Sequence, residues 1–320
     1  MGTLQYAGIS TIDPAQALRA FFMLAAMTVF LANAVPAFRS RFVAYGSRTA
    51  SPARERSDKE KRTQPSTSPA AFVHFFDYLS TFLVPHAFFT HFYIASVLSS
   101  VFWAYQILAG GRCLTAFLDW TADHSREASM SLDQVALAWS LMALQGIRRL
   151  WESIALSKPS QAKMWFVHWL LGISFYVAMG IAVWIEGLPA LRFHRPSIDD
   201  VALKPPSLRT FLCIPLFFVV SGIQHDAHVH LYSLPKYSLP KHPIFQQIIC
   251  PHYTAECLIY LSLALIAAPR GALVNQTIFT ALIFVSINLG VTANITRQWY
   301  AEKFGEEQVR GRCRMIPFVY

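Results

Sequence analysis

Seven apolar runs, each about as long as a bilayer core is thick, recur along this 320-residue chain and constrain what it can become. They are Ala17–Phe38, His86–Leu108, Ser131–Trp151, Met164–Ile185, Thr210–Val229, Tyr253–Ala268 and Leu273–Ile295. Hydrocarbon offers the backbone no hydrogen-bond partner, so each run must satisfy its own N–H and C=O groups, as a helix does. The expectation is an all-α, polytopic membrane protein of about seven transmembrane helices. Charged side chains make up 14% of the chain, well under the roughly 25% of a soluble domain. That argues against a large soluble helical core. Pro85 should divide the longer stretch Phe72–Leu108 into an entering segment and a span.

The charges lie between these runs and orient them. Arg39–Pro69 carries eight Lys or Arg and ends in TQPSTSP, a composition too polar to pack. The chain thus divides into an N-terminal anchor helix (1–38), a basic linker (39–70) and a membrane domain (71–320), whose C-terminal part begins near 161. Ala32-Asn33-Ala34 resembles a cleavage site, but residues 1–15 lack the positive region of a secretory signal. The first run reads as a retained anchor. With the linker in the cytosol and alternation thereafter, cytosolic segments hold 19 Lys or Arg and outer segments seven. This is the asymmetry of a multi-pass protein with a cytosolic C-terminus. The net charge of +9 is then topological, and no nucleic-acid-binding pattern accompanies it. Five cysteines without a CxxC imply neither a disulfide framework nor a zinc site.

One stretch breaks the apolar rule. Ser221–Tyr260 holds five histidines, Asp226, Glu256 and two lysines. Polar groups near lipid cost several kcal/mol unless paired or used, so the stretch points to a polar ligand at the membrane edge. Gln224 and His228 are four apart and share a helix face; the plainer reading is that they meet the interface at a helix end. His225, His228 and His230 look like metal ligands, but no HxxxH or HxxHH partner lies elsewhere, so no metal is expected. Lys236 and Tyr237, on a loop before Pro240, can hold a phosphate, or the lysine can simply snorkel. His252, Glu256 and Tyr260 share a face where the next helix opens. A carboxylate there can accept from an amide or a ribose hydroxyl, or merely complement the helix dipole. Asn288, Thr292, Thr296 and Tyr300, continued by Arg297, give the last helix a polar edge that must face protein or ligand. The glycosylation sequons at Asn275 and Asn294 are set aside, the first at a span start and the second on the cytosolic side.

Several segments together resemble the steroid 5α-reductase family, and within it the polyprenol (polyprenal) reductase branch. They are VPHAFFTHFYIASVL (84–98), LQGIRRLWES (144–153), the Gln224/His228 face, SLPKHPIF leading into PHYTAE, and RQWYAEKF with the IPFVY end. PxYxxE alone is weaker, because membrane methyltransferases of the isoprenylcysteine class carry a similar motif. The resemblance implies a seven-helix NADPH-dependent reductase of the endoplasmic reticulum membrane. Its substrate would be a long-chain isoprenoid lipid, and its product dolichol for protein N-glycosylation. It also implies that Gln224, His228, Tyr237, His252, Glu256, Thr296 and Tyr300 surround the cofactor, with Glu256 on the nicotinamide carboxamide. Lys236 and Arg297 join them as candidate cofactor contacts. Two positions depart from the family pattern. His252 replaces the usual Asn, and Gly146 stands where steroid reductases carry a catalytic tyrosine, which argues against a steroid.

The chemistry narrows the substrate further. Hydride can attack an alkene carbon only if the resulting charge has a sink. An allylic alcohol offers none; an α,β-unsaturated aldehyde becomes an enolate. Polyprenal is therefore expected rather than polyprenol. The site needs a donor to the carbonyl oxygen and a proton source for the α-carbon, for which Tyr93, His91 and Gln145 are the candidates. Tyr93 and His91 could equally form an interfacial aromatic belt. The competing readings are a membrane methyltransferase using S-adenosylmethionine, a 3-oxo-steroid 5α-reductase, and a lipid-binding protein without activity.

Overall fold

The computed structural model describes residues 13–39, 70–121, 129–194, 206–236 and 238–320. The basic linker lies outside these residues apart from its ends, and so does Tyr237. In chain order the helices are α1 (Pro14–Ala34), α2 (Ala70–Ser80), α3 (Thr90–Ala109), α4 (Arg112–Trp120), α5 (Leu132–Ala155) and α6 (Phe166–Ala182). They continue with α7 (Leu188–Phe193), α8 (Leu208–Ser233), α9 (Pro243–Gln247), α10 (Pro251–Ile266) and α11 (Gln276–Phe304). Each expected span coincides with one long helix. The stretches Pro14–Ala34, His86–Ala109, Phe166–Phe193, Leu208–Ser233 and Gln276–Phe304 are long and apolar enough to cross a membrane. The other two differ for physical reasons. α5 carries Arg148, Arg149 and Glu152 in its last turns, and α10 is 16 residues long. Both are partnered within the bundle: α5 packs on α3, and α10 lies among α8, α11 and α5. The molecule is an all-α, multi-pass membrane protein.

Helix starts follow local chemistry. Asp13 accepts from the N–H of Ala15 to open α1, and Ser131 with Gln134 forms a reciprocal capping box on α5. Asn275, fully buried, caps α11 and also donates to the Ala267 carbonyl, so its sequon is structural. The ends outrun the apolar runs: α8 continues to Ser233 and α11 to Phe304. A helix satisfies its own backbone in water as in lipid, so a change in polarity does not end it. Met164 was expected to begin a span but belongs to a short strand. β1 (Leu83–Pro85) pairs antiparallel with β2 (Lys163–Trp165), Val84 opposite Met164. Pro85 does mark the division expected of it, leading through one 3-10 turn into α3.

Three close approaches fix α3 between α5 and α6. A Cβ added to Gly172 would lie 2.5 Å from the Phe92 ring, one on Gly180 2.0 Å from Ser99 Oγ, and one on Gly146 2.7 Å from Ser96 Oγ. Small residues let membrane helices approach this closely. Gly146 therefore faces α3, and a tyrosine there would displace Ser96. At one end of the bundle, Arg19 Nη2 is 2.8 Å from Glu186 Oε1, which also accepts from the Thr277 N–H and hydroxyl. This cluster ties α1 to α11 and gives the arginine inside the first span a buried partner.

Candidate active site

At the opposite end, α3, α5, α6, α8, α10 and α11 converge around two cavities. The inner one, about 170 Å³, is walled mainly by aromatic rings, with Gln224, His252, Glu256, Asn288 and Thr292 among its lining. The outer one, about 690 Å³, carries Lys158, Lys236, Glu152 and several hydroxyls. Phe89, Tyr93, Arg149 and His228 belong to both walls and form the neck between them.

A buried polar network runs through that neck. On α5, Gln145, Arg148, Arg149 and Glu152 recur at three- and four-residue spacing, which puts them on one face. The Glu152 side chain is 1% exposed and takes four partners. Arg148 Nη1 donates to it at 2.5 Å, Arg149 donates to its other oxygen, and the Nδ1 atoms of His225 and His228 lie 2.8 and 2.9 Å away. His228 Nδ1 is also 2.9 Å from Arg149 Nη1. One ring nitrogen cannot donate to Glu152 and accept from Arg149 at once; the carboxylate, needing donors, is the partner that assigns Nδ1–H. The second carboxylate is Glu256. Its Oε2 accepts from Gln224 Nε2 and, at 3.4 Å, from Gln145 Nε2. Gln224 Oε1 in turn accepts from Arg148 and from Gln145 Nε2. Two arginines thus face two carboxylates, a balanced set that can be held out of water.

Tyr93 stands where this network meets the inner cavity. Its hydroxyl accepts from Arg149 Nη2 at 2.6 Å, and the guanidinium carbon lies 4.8 Å from its ring centre. A hydroxyl that accepts from a cation keeps its own proton for another acceptor. Tyr176 and Tyr260 also line the inner cavity.

The residues singled out in the sequence divide into two groups. Tyr93, Gln224, His228, His252 and Glu256 line the inner cavity, and Lys236 the outer. Gln145 is 3% exposed and stands behind the wall, holding Gln224 and Glu256. Tyr260, Asn288 and Thr292 also line the inner cavity, whereas His91, Thr296, Arg297 and Tyr300 reach neither wall. His91 packs between the rings of Phe88 and Trp169. Thr296 donates to the Thr292 carbonyl, and Arg297 pairs with Glu306 at 2.7 Å. Tyr300 belongs to a separate apolar cluster with Ile249, Cys250 and Met315, against which Tyr253 of the inner wall packs. The histidines of HDAHVH separate too: His225 and His228 turn to Glu152, His230 to the rings of His242 and Phe245. Among the described residues no group of three or more His, Cys, Asp or Glu is placed to hold a metal ion.

Arg149, Glu152 and Lys158 were not singled out as site residues, and His225 only as one of the histidines of HDAHVH. The arginine pair reads in sequence as a positive-inside flank, yet the acid three and four residues on was the available signal. Lys158 Nζ donates to the Leu234 carbonyl and Lys236 Nζ to the Pro159 carbonyl, each at 2.5 Å. The loops after α5 and α8 are thereby latched across the outer cavity.

Residues 162–320 match the family described as 3-oxo-5-alpha-steroid 4-dehydrogenase. Over longer stretches the chain is similar to proteins named polyprenal reductase. It is 26% identical over 261 residues to that of Xenopus laevis, covering 76% of this chain and 80% of the relative. The identity is 27% over 312 residues to polyprenal reductase 2 of Oryza sativa subsp. japonica, covering 82% and 86%. For the Saccharomyces cerevisiae protein it is 26% over 242 residues, covering 75% and 77%.

Proposed function

The chain belongs to the steroid 5α-reductase family, in its polyprenal reductase branch, and from that premise we propose that it is an NADPH-dependent polyprenal reductase. It saturates the α-isoprene double bond on the route from polyprenol to dolichol, which supplies protein N-glycosylation. It works in the endoplasmic reticulum membrane, with 1–38 as anchor and with the 39–70 linker, the outer cavity and the C-terminus in the cytosol. The observation that carries this reading is the neck: one tyrosine, backed by an arginine, shared by a basic outer cavity and an aromatic inner one.

The residues present suit a reduced dinucleotide. Lys158 and Lys236 are cations at the outer cavity able to exchange backbone carbonyls for phosphate oxygens. Glu256 lines the inner cavity, its Oε2 held by two glutamines while Oε1 has no protein hydrogen bond among the described residues. A carboxamide N–H is the complement of that oxygen. NADPH, when bound, supplies the hydride that the β-carbon of the enal accepts. Tyr93 donates to the aldehyde oxygen as charge gathers there, and Arg149 supports it from behind. Preorganised donors of this kind contribute about 3–4 kcal/mol. The α-carbon takes its proton from Tyr176 or Tyr260, whose side chains line the same cavity. Gln145 acts through Glu256 and does not touch the substrate. Burial of Gly146 against Ser96 supports the isoprenoid over the steroid reading, since a tyrosine at 146 would not reach the cavity without displacing α3.

The test is dinucleotide consumption by the detergent-solubilised protein, with polyprenal and polyprenol offered separately. Oxidation of NADPH with polyprenal alone, yielding the saturated product, is expected. Unchanged polyprenal, or methyl transfer from S-adenosylmethionine to a prenylcysteine, rejects the proposal. A second expectation concerns the outer cavity. Lys158→Ala with Lys236→Ala should raise KM for NADPH roughly ten- to a hundredfold, the worth of about one hydrogen bond to a charged group, and leave kcat near its starting value. Equal KM in the two proteins would remove the lysines from the site.

A further inference from the structure

The segment after α11 turns at Gly305 (φ 93°) and folds back on the bundle. Cys313 pairs with Ile248, and the Thr254 hydroxyl donates to the Met315 carbonyl. Arg314 Nε donates to Asn294 Oδ1 at 2.7 Å, with its guanidinium 4.9 Å over the Tyr320 ring. The Tyr320 hydroxyl reaches the Gly290 carbonyl at 3.4 Å, and a Cβ on Gly290 would lie 3.7 Å from that ring. These contacts set a depth. At 1.5 Å per residue, Gly290 lies about 21 Å back along α11 from Phe304. It is about 10 Å inside the first charged residue, Arg297, which marks the edge of the apolar span. The tail has returned to the margin of the hydrocarbon.

What it carries there is apolar. The N–H groups of Met315 and Ile316 donate to the Tyr320 carbonyl, and that of Tyr320 to the Ile316 carbonyl, closing a tight loop. At its tip Ile316, Phe318 and Val319 are 42, 94 and 79% exposed, with only Pro317 between. Phe318 has φ 62°, among the described residues the only one other than glycine with positive φ. An aromatic ring is thus held outward in a conformation that L-residues rarely adopt.

We propose that Ile316–Val319 is a wedge in the bilayer interface. Phe318 and Val319 insert among the acyl chains of the leaflet that meets this end of α11. The occupant is phospholipid because Tyr320, next to these exposed side chains, reaches Gly290, about 10 Å inside the charged edge of the span. The proposal rests on the multi-pass fold and not on the reaction.

The test places a benzophenone amino acid at position 318, and separately at 319, in the full chain. Each protein is reconstituted in nanodiscs of phosphatidylcholine and phosphatidylserine and irradiated. Glu307, with an 80% exposed side chain, is the control position on the same tail. Protein–phospholipid adducts at 318 and 319, many times those at 307, are expected. Adduct yields equal to that at 307, or crosslinks to a second protein chain in place of lipid, would overturn it.

Discussion

Tyr93→Phe should lower kcat for polyprenal by roughly a hundred- to a thousandfold while leaving the affinity for NADPH unchanged. The size is that of removing one preorganised donor from a developing oxyanion. The sparing of the cofactor follows from what the mutation removes. The ring stays in place under the Arg149 guanidinium, and Glu256 keeps Gln145 and Gln224. Only the hydroxyl that accepts from Arg149 at 2.6 Å is lost. Steady-state kinetics with the substrate and cofactor varied in turn, alongside direct titration of NADPH by fluorescence, separates the two effects. A fall in cofactor binding with kcat preserved would assign the hydroxyl to the nucleotide, not to the aldehyde.

Glu152→Gln is expected to be the most damaging change to the folded molecule. Glu152 compensates Arg148 and Arg149 together and takes both His225 and His228. Its removal leaves two half-buried cations, their side chains 19 and 17% exposed, and Glu256 as the one carboxylate for both. Breaking a buried pair by deleting one partner costs about 3–5 kcal/mol, most of it from the charge left behind. The midpoint of thermal unfolding in detergent should fall by many degrees, and activity with it, since Arg149 loses the anchor that aims it at Tyr93. Glu152→Asp should recover part of both, because the charge remains and the reach shortens. A wild-type midpoint in Glu152→Gln would mean that water, not this carboxylate, neutralises the arginines.

Why some of the site can be read from sequence and some cannot is visible on α5 and α11. Apolar length fixes where helices run, and caps such as Ser131 and the proline at 85 fix where they start. Gln224 and Glu256 stand out because an amide and an acid at a span mouth need a partner. Arg149 and Glu152 do not stand out in the same way: basic residues at a helix end already have a topological explanation, which hides their place in the buried network. The polar edge of α11 fails for a geometric reason. Four-residue steps advance about 400° around a helix, so each gains about 40° on the last. Over the twelve residues from Asn288 to Tyr300 the stripe has turned by about 120°. Asn288 and Thr292 accordingly face the inner cavity, whereas Tyr300 meets the cluster at the foot of α10.

The inner chamber is also small, about 170 Å³. Under the proposed reaction it must hold the nicotinamide that Glu256 meets as well as the aldehyde, so little of the prenyl chain fits within it. A prenyl chain of any length must trail into lipid from there. Such a catalyst has no ruler. It reads the end of the rope and never its length, so the spread of dolichol sizes in a cell would be inherited from whichever synthase spins the chain.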